Sequence, residues 1–342
     1  MNGLGKHIGI FAGLAVLFYI IENVLQLGGQ GSLLFNMLFW VALAEGPLAI
    51  VAAADIVGGK WIKPYKKELL GTYPFILMVG LLFLVFIPRI ADYPWQDHPT
   101  AWLNTPFFIA RHVVMFIVTF FIAWRFAKAS MSDAPSRNTW AVLYVFAYVI
   151  SQTLIAFDWV MGLDYPWMST LFGAYFFVEA FYMALAFGGI LTYLRFTQFQ
   201  EEFGSQFKQA HMDMATLTFG FSIFWAYQFF SQYLVIWYGN IPEEVLYLAE
   251  RIAHSPMREF SYGVIVILFL IPFLTLLFRK VKGSKVGYGL ISLVIFLGII
   301  IERLIMITPK FQVNPIFLVI EFLIILAVFI YIYKQRESYL VA

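Results

Sequence analysis

The sequence predicts an all-α integral membrane protein, a single polytopic domain over residues 1–342 with ten transmembrane helices. Hydrophobic residues make up 62% of the chain and charged residues only 12%, whereas soluble domains carry about 25% charged residues. Apolar segments of about 20 residues, the length that crosses a bilayer, recur along nearly the whole chain. The connections between them are too short for a soluble domain, and a net charge of +2 gives no indication of a nucleic-acid partner.

Ten segments are long and apolar enough to span a membrane. We predict spans at about 7–27, 33–57, 70–88, 106–127, 140–161, 169–194, 213–238, 258–278, 285–308 and 314–333.

The first two spans differ in the polar residues that they carry. Span 1 contains Glu22 and Asn23 and lacks a small-residue cleavage pattern, so we expect it to be retained and not removed as a signal peptide. Span 2 carries Glu45 directly before Gly46 and Pro47. Because proline lacks a backbone donor and frees carbonyls about one turn earlier, we expect a kink with unpaired acceptors beside this carboxyl group.

Span 4 is otherwise almost wholly apolar but contains adjacent Arg111 and His112, and span 5 ends near Asp158. A charged side chain at the bilayer centre costs about 2.5–3.5 kcal/mol on insertion scales, so such a group normally has a function or a partner. These three residues fall at similar depth near one side of the membrane. They could bind a quinone headgroup or release protons; alternatively, Arg111 could neutralise Asp158 or Glu179 in a structural pair.

Carboxylates at several depths indicate a second kind of site. Glu45 and Glu179 fall near mid-membrane, and Asp55 and Asp213 fall near the opposite side from Arg111. Acidic groups spread along a membrane protein are what a proton relay requires. Glu45 and Asp55 are ten residues apart, about 15 Å along a helix, so neighbouring hydroxyls, amides or waters must fill the gap. Asp213 could instead cap the start of its helix.

Other ionisable residues in the spans have simpler interpretations. Glu302 and Arg303 lie close to a span end and favour snorkelling or ion pairing, and Glu22 and Glu321 favour hydrogen-bonded packing. A functional role for each of them stays open.

Lysine and arginine are distributed unequally between the two predicted faces. Sixteen of the 22 fall on the face that holds both termini and five on the other, with Arg111 inside a span. The positive-inside rule therefore predicts cytoplasmic termini, and the alternation holds through all ten spans.

The absence of cysteine and the scarcity of histidine restrict the redox chemistry. With no cysteine and five histidines, the chain cannot hold a thiolate-bound iron–sulfur cluster or a covalent haem c. Only His112 lies well inside a span, so paired imidazoles for haem b are lacking. We therefore expect no metal in this chain, and any electrons would belong to a bound organic molecule or to a partner.

Two segments carry a family resemblance. The first is FDWVMGLDYPWMSTLFGAYFF (Phe157–Phe177), and the second is HMDMATLTFGFSIFWAYQFFSQYLVIWYGNIPEE (211–244). Both resemble the second NrfD/PsrC-like membrane subunit (ActF-type, quinone-binding subunit 2) of bacterial alternative complex III. The resemblance extends over the whole ten-span layout.

The resemblance implies two four-helix bundles, spans 2–5 (about 33–161) and spans 6–9 (about 169–308), flanked by spans 1 and 10. It implies a respiratory-chain subunit in the bacterial inner membrane, within a complex that oxidises menaquinol or ubiquinol and passes electrons to cytochrome c or a terminal oxidase. Haem c and iron–sulfur clusters would reside in partner subunits: an iron–sulfur/molybdopterin-like subunit, a second NrfD-like membrane subunit and haem c subunits. This chain would contribute a quinol-site-like cavity, a transmembrane proton pathway, or both.

Two other functions fit a membrane protein of this layout. A structural anchor to a terminal oxidase would tolerate neutralisation of the buried acids. A secondary transporter would show an inverted repeat with discontinuous helices, and no such repeat is visible in the sequence.

Overall fold

The fold is all-α in a computed structural model that describes residues 2–340. About 85% of the chain is helical, and the described residues form no strand; Gly29 and Val313 make one isolated bridge. The coarse prediction of an all-α membrane protein is therefore confirmed.

Fourteen α-helices are present in residues 2–340, several of them continued by short 3₁₀ or π turns. They are α1 (Asn2–Tyr19), α2 (Ser32–Ile56), α3 (Lys63–Leu70), α4 (Pro74–Phe86), α5 (Thr105–Met131), α6 (Arg137–Ile155), α7 (Phe172–Gly239), α8 (Pro242–Ile252), α9 (Met257–Ile265), α10 (Ile271–Leu276), α11 (Arg279–Gly283), α12 (Lys285–Ile307), α13 (Pro315–Lys334) and α14 (Arg336–Leu340).

Nine helical segments within the described residues are long and apolar enough to cross a membrane. Eight of them match predicted spans 1–5 and 8–10 to within a few residues. The ninth, α7, covers both predicted spans 6 and 7 in one 68-residue segment.

Helix α7 reverses direction near its middle. The backbone leaves helical geometry at Arg195 (φ −125°) and at Gly204, whose φ of +53° favours glycine. The ring centroids of Phe181 and Phe221 are 4.5 Å apart, although residues 40 positions apart in a straight helix would be about 60 Å apart. The two halves of α7 therefore pack against each other as a helical hairpin.

Helix α2 forms the centre of the molecule. Nearly all its side chains are buried, and it packs against α4, α6, α7, α12 and α13. A side chain at Gly46 would collide with the Ala180 carbonyl of α7, so glycine permits the close approach of these two helices. Helix α2 stays helical through Pro47.

The outward faces of the helices are apolar. Exposed side chains on α5 and α6 include Val114, Ile117, Phe121, Phe146 and Ile150. Ionisable side chains lie instead in the interior, among them Glu45, Asp158 and Glu179. This arrangement, apolar outside and polar inside, suits a protein whose surroundings are lipid.

The helix connections gather at two ends. One end, which we call the basic end, holds the connections 57–73, 132–136, 195–204 and 277–284 together with α14. The other, which we call the opposite end, holds 25–31, 87–104, 161–171, 240–256 and 308–314. Ion pairs and hydrogen bonds between these connections hold each end together, such as Lys66 to Asp133 and Arg251 to Asp164.

Candidate functional site

Arg111, His112 and Asp158 form one buried cluster at the opposite end, which we call the Asp158 cluster. Arg111 Nε lies 2.7 Å from Asp158 Oδ2, and His112 Nε2 lies 3.4 Å from the same oxygen. Trp102 Nε1 donates to Asp158 Oδ1 at 2.9 Å, and Arg111 also donates to the Trp102 carbonyl at 2.6 Å. The structure thus brings together the three residues that the sequence put at similar depth, and Arg111 pairs with Asp158 and not with Glu179.

His112 is enclosed by aromatic rings. Its Nδ1 lies 2.8 Å from the Phe108 carbonyl one turn earlier, and the ring packs against Phe83 and Trp159. His112 and Asp158 are both 0% exposed. The Asp158 cluster is consequently a closed arrangement in this conformation, with no surface opening at the imidazole.

Glu45 lies at the centre of the molecule and is held by neutral groups. Ser151 Oγ and Gln152 Nε2 of α6 each donate to its carboxylate at 2.8 Å. Tyr144 donates to the Glu45 carbonyl, also at 2.8 Å. Thr72 Oγ1 donates to the Ala44 carbonyl at 3.0 Å, so two carbonyls in the turn before Pro47 have side-chain donors. Within the described part of the chain, Glu45 has no ion pair.

Glu179, Glu302 and Arg303 form a second charged cluster, which we call the Glu179 cluster. Arg303 Nη2 lies 2.5 Å from Glu179 Oε2, and its guanidinium lies 4.0 Å from the Phe176 ring centroid. Glu302 lies close enough to Glu179 for the two carboxyl groups to interact electrostatically, and it accepts a hydrogen bond from Tyr175. Snorkelling is the wrong interpretation of Glu302 and Arg303, since Arg303 is 0% exposed. Only the packing of α7 on α12 reveals this partnership.

Tyr148 of α6 lies between Glu45 and the Glu179 cluster. Its hydroxyl donates to the Phe177 carbonyl, and it interacts electrostatically with both Glu45 and Glu179. Sequence patterns gave no reason to single out this tyrosine, because buried tyrosines are common in helical packing. Its place near two carboxyl groups emerges only from the packing of α6 against α2 and α7.

The polar groups continue from the Glu179 cluster to the opposite end. Tyr175 interacts electrostatically with Tyr247 of α8, and Tyr247 with Asp164 and Arg251. Arg251 Nη2 donates to Asp164 Oδ2 at 2.8 Å. Burial raises the pKa of Tyr247 to about 12, so this phenol keeps its proton at neutral pH.

Partly exposed charges lie beside this pair. Lys310 is 2.8 Å from Glu250 and 4.0 Å from Asp164. The series of polar groups therefore reaches the surface at the opposite end.

Asp55 and Asp213, both predicted near the basic end, are not brought together. Asp55 accepts from Ser130 at 2.5 Å and lies 3.2 Å from Lys66 Nζ. Asp213 accepts from Gln209 of its own helix at 2.7 Å. Helix α7 resumes directly after Gly204 and runs through residue 213, so the alternative of a helix cap at Asp213 is wrong.

A second acidic pair joins the first, second and last predicted spans. Glu22 and Glu321 are close enough to interact electrostatically. Asn36 Nδ2 donates to Glu321 at 3.2 Å, and Arg89 lies 3.8 Å from Glu22. These contacts fit the hydrogen-bonded packing that the sequence favoured for the two acids.

The fold and these clusters define the class of protein: an all-α, multi-pass membrane protein with interior carboxylates on several helices. Among residues 2–340, no group of three or more His, Asp or Glu side chains is placed to hold a metal ion. No family model matches the chain, and no curated protein matches it. The resemblance to the alternative complex III subunit stays a prediction.

Proposed function

We propose that this chain conducts protons as a membrane subunit of a quinol-oxidising respiratory complex. The observation that carries the proposal is an interior series of carboxyl and phenol groups between the two ends of the molecule. From the basic end it comprises Asp55, Tyr144, Glu45, Tyr148, Glu179, Glu302, Tyr175, Tyr247 and Asp164. Protons move through proteins by hopping between such groups and intervening waters.

The charges of these groups suit proton storage. Glu45 has only neutral partners, so it is electrically neutral when it holds a proton. The Glu179 cluster combines two carboxylates with one guanidinium, so it is neutral when it holds one proton. Since a net charge is expensive in a low-dielectric interior, each site binds a proton that a neighbour can receive.

A gap in the series lies near the basic end. Asp55 and Glu45 are separated by about 15 Å along α2, and Tyr144 of α6 donates to the Glu45 backbone carbonyl at 2.8 Å. We propose that waters complete this part of the route. Asp213 would serve as an additional proton acceptor at the basic end, separate from Asp55.

The motif segments support membership in the NrfD/PsrC-like family, as the second, ActF-type subunit of alternative complex III. They contact each other through Ser169 and Gln232, 2.6 Å apart. Counting the hairpin of α7 as two spans gives the proposed ten, arranged as two bundles flanked by spans 1 and 10. We place the chain in the bacterial inner membrane with both termini cytoplasmic, so that the basic end faces the cytoplasm.

Electron carriers would come from the partners. We propose an iron–sulfur/molybdopterin-like subunit, a second NrfD-like membrane subunit and haem c subunits, and a terminal oxidase as a further partner. Menaquinol or ubiquinol would be the electron donor. Arg111, His112 and Asp158 stay candidates for an outer quinol or proton-exit site, which would require an opening of the closed cluster.

The test is proton translocation by the assembled complex in vesicles. We expect Glu45→Gln to lower the number of protons moved per electron while quinol oxidation with an uncoupler continues. Glu243→Gln, an exposed acid of α8, is the matched control and should change neither quantity. An unchanged proton stoichiometry in Glu45→Gln would reject proton conduction and favour the anchor. A chain that purifies without haem c or iron–sulfur subunits would favour the transporter.

A further inference from the structure

Glu22 and Glu321 form an acidic pair near the opposite end, apart from the groups of the proposed proton route. Glu22 lies in the π turn Ile20–Val24 that continues α1, and Glu321 lies in α13. Their side chains are 1% and 0% exposed, and they are close enough to interact electrostatically. Two carboxylates that share a buried site cannot both be ionised at low cost. This Glu22–Glu321 pair therefore needs positive charge from its surroundings.

Arg89 supplies one positive charge to the pair and divides it between two acids. Arg89 Nη2 lies 3.8 Å from Glu22 Oε2 and donates to the Glu22 backbone carbonyl at 2.7 Å. Arg89 Nη1 lies 3.8 Å from Asp92 Oδ2, on a partly exposed side chain. One guanidinium can neutralise at most one carboxylate of the pair. If both were ionised, a net negative charge would remain buried, and such a charge is expensive in a low-dielectric interior.

Hydrogen-bond donors are also too few at this site. Asn36 Nδ2 donates to Glu321 Oε2 at 3.2 Å. Both oxygens of Glu22, Oε1 of Glu321 and Oδ1 of Asn36 are buried and have no donor within residues 2–340. Asn36 is itself 0% exposed, so its amide oxygen adds a further acceptor. Buried polar atoms are nearly always paired, and a protonated carboxyl group is a donor. A proton between the two carboxyl groups would thus pair one oxygen of each.

The Glu22–Glu321 pair lies directly beneath the connection 25–31. A side chain at Gly28 would collide with Glu22 Oε1, so this carboxyl group packs against the backbone of the connection. The connection is partly exposed at Gly29 and Gln30, and the Gln30 amide donates to the Gln312 carbonyl at 3.0 Å. Loops of this kind open locally at low free energy. A brief opening would let a proton exchange with water.

We propose that the Glu22–Glu321 pair is a proton-binding site that holds one proton at neutral pH and exchanges it with water at the opposite end. The proton lies between the two carboxyl groups, so that one donates and the other accepts. With this proton and the Arg89 guanidinium, the pair is electrically neutral. The proposal rests on the charges and hydrogen bonds of this pair and not on the proton route through Glu45.

The test is infrared spectroscopy of the purified protein, or of its complex, in lipid nanodiscs at pH 7. Protonated carboxyl groups have a carbonyl band that carboxylates lack. We expect Glu321→Gln to lose the band of about one carboxyl group per chain, because Glu22 and Arg89 then balance without a proton. In the wild type, deuterated water should shift the lost component to lower frequency, as exchange of this proton requires.

Arg89→Met should change the same band in the opposite direction. Without the guanidinium, both acids of the pair must be neutral, so the band should gain about one carboxyl group per chain. Arg258 and Glu259, an exposed pair 3.1 Å apart, provide the matched controls. Arg258→Met and Glu259→Gln should leave the band unchanged, since an exposed carboxylate stays ionised at pH 7 in either case.

An unchanged band in Glu321→Gln or in Arg89→Met would overturn the proposal, and so would the lack of a shift in deuterated water. A band that appears only when sodium chloride is replaced by choline chloride would overturn it in favour of a bound sodium ion. If Glu321→Gln does not fold, Glu22→Gln decides, because it also leaves one carboxylate for Arg89 and should lose the same band. None of these outcomes depends on the proton stoichiometry of Glu45→Gln.

Discussion

The Asp158 cluster and the Glu179 cluster contain similar residues but differ in charge balance. In the Asp158 cluster one carboxylate faces one guanidinium, and Trp102 and Arg111 fill its acceptor positions. In the Glu179 cluster two carboxylates share the single guanidinium of Arg303. The first cluster is neutral without a bound proton, and the second is neutral only with one. The ratio of acids to cations, more than burial itself, distinguishes a structural ion pair from a proton-binding site.

Glu45 lies in a buried site that contains no cation. Its partners Ser151 and Gln152 can hydrogen-bond either the charged or the protonated carboxyl group after small rotations. Tyr148 lies between this site and the Glu179 cluster. The two proposed proton-binding sites therefore lie near each other, whereas the Asp158 cluster lies among aromatic rings.

The largest effect is expected from Arg111→Leu. Because Asp158 would be left buried without its cation, we expect the free energy of unfolding to fall by about 3–5 kcal/mol. Unfolding in mixed micelles measures this. The double variant Arg111→Leu with Asp158→Leu should lose clearly less, since no unpaired charge remains. Equal losses in the single and double variants would show that the ion pair is not what stabilises this region.

Glu302→Gln should give the Glu179 cluster the charge balance of the Asp158 cluster. With one carboxylate per guanidinium, the Glu179 cluster would be neutral without a bound proton, so its protonated carboxyl group should disappear from the infrared spectrum. We expect the free energy of unfolding to change by no more than about 1 kcal/mol. Asp158→Asn is the control and should leave that carbonyl band in place. Persistence of the band in Glu302→Gln would contradict the charge argument.

Tyr148→Phe tests the connection between the two proton-binding sites. Loss of the hydroxyl should slow proton transfer about tenfold, equivalent to about 1.4 kcal/mol in the barrier, and cost about 1 kcal/mol of stability for the lost hydrogen bond to Phe177. Tyr182→Phe is the matched control, because Tyr182 donates to the Leu268 carbonyl at 3.1 Å. It should cost similar stability without slowing transfer. Equal rates of proton transfer in the two variants would show that Tyr148 is not part of the proposed proton route.

The smallest effect is expected from Asp213→Asn. Its carboxylate is partly exposed and contacts Gln209 of the same helix, so the free energy of unfolding should change by no more than about 0.5 kcal/mol. Proton translocation should fall by less than in Asp55→Asn, whose carboxylate is buried at the basic end. Denaturation and proton-release assays on the two variants make the comparison. A larger loss of proton translocation in Asp213→Asn would indicate that protons enter at α7 and not at Asp55.

The sequence predicted the Asp158 cluster because its three residues lie at a similar depth in the membrane. The depth of a residue follows from its position within a span. The sequence did not predict the partnership of Glu179 with Glu302 and Arg303, because their separation of more than 120 positions gives no spacing signal. Tyr148 was missed for a different reason: a tyrosine in an apolar helix is ordinary until its neighbours are known.

Helix α7 shows what hydropathy can predict of the architecture. Hydropathy separated spans 6 and 7, since the polar stretch around Gln198–Gln209 cannot lie in a bilayer at low cost. The backbone leaves helical geometry at Arg195 and Gly204, in and beside this stretch, and the chain reverses there. Hydropathy thus located the connection, whereas the packing of the two halves on each other, as at Phe181 and Phe221, is known only from the structure.

The sequence by itself determined the all-α class, the apolar segments and the lack of cysteine ligands, because each depends on local composition and on the cost of placing polar groups in lipid. The tertiary structure alone decided which acids share a cation and which imidazole is enclosed. Those properties depend on the rotation and register of helices that are far apart in the chain. Arg111 and Arg303 thus end in clusters of different charge, and the charge sets what each cluster can do.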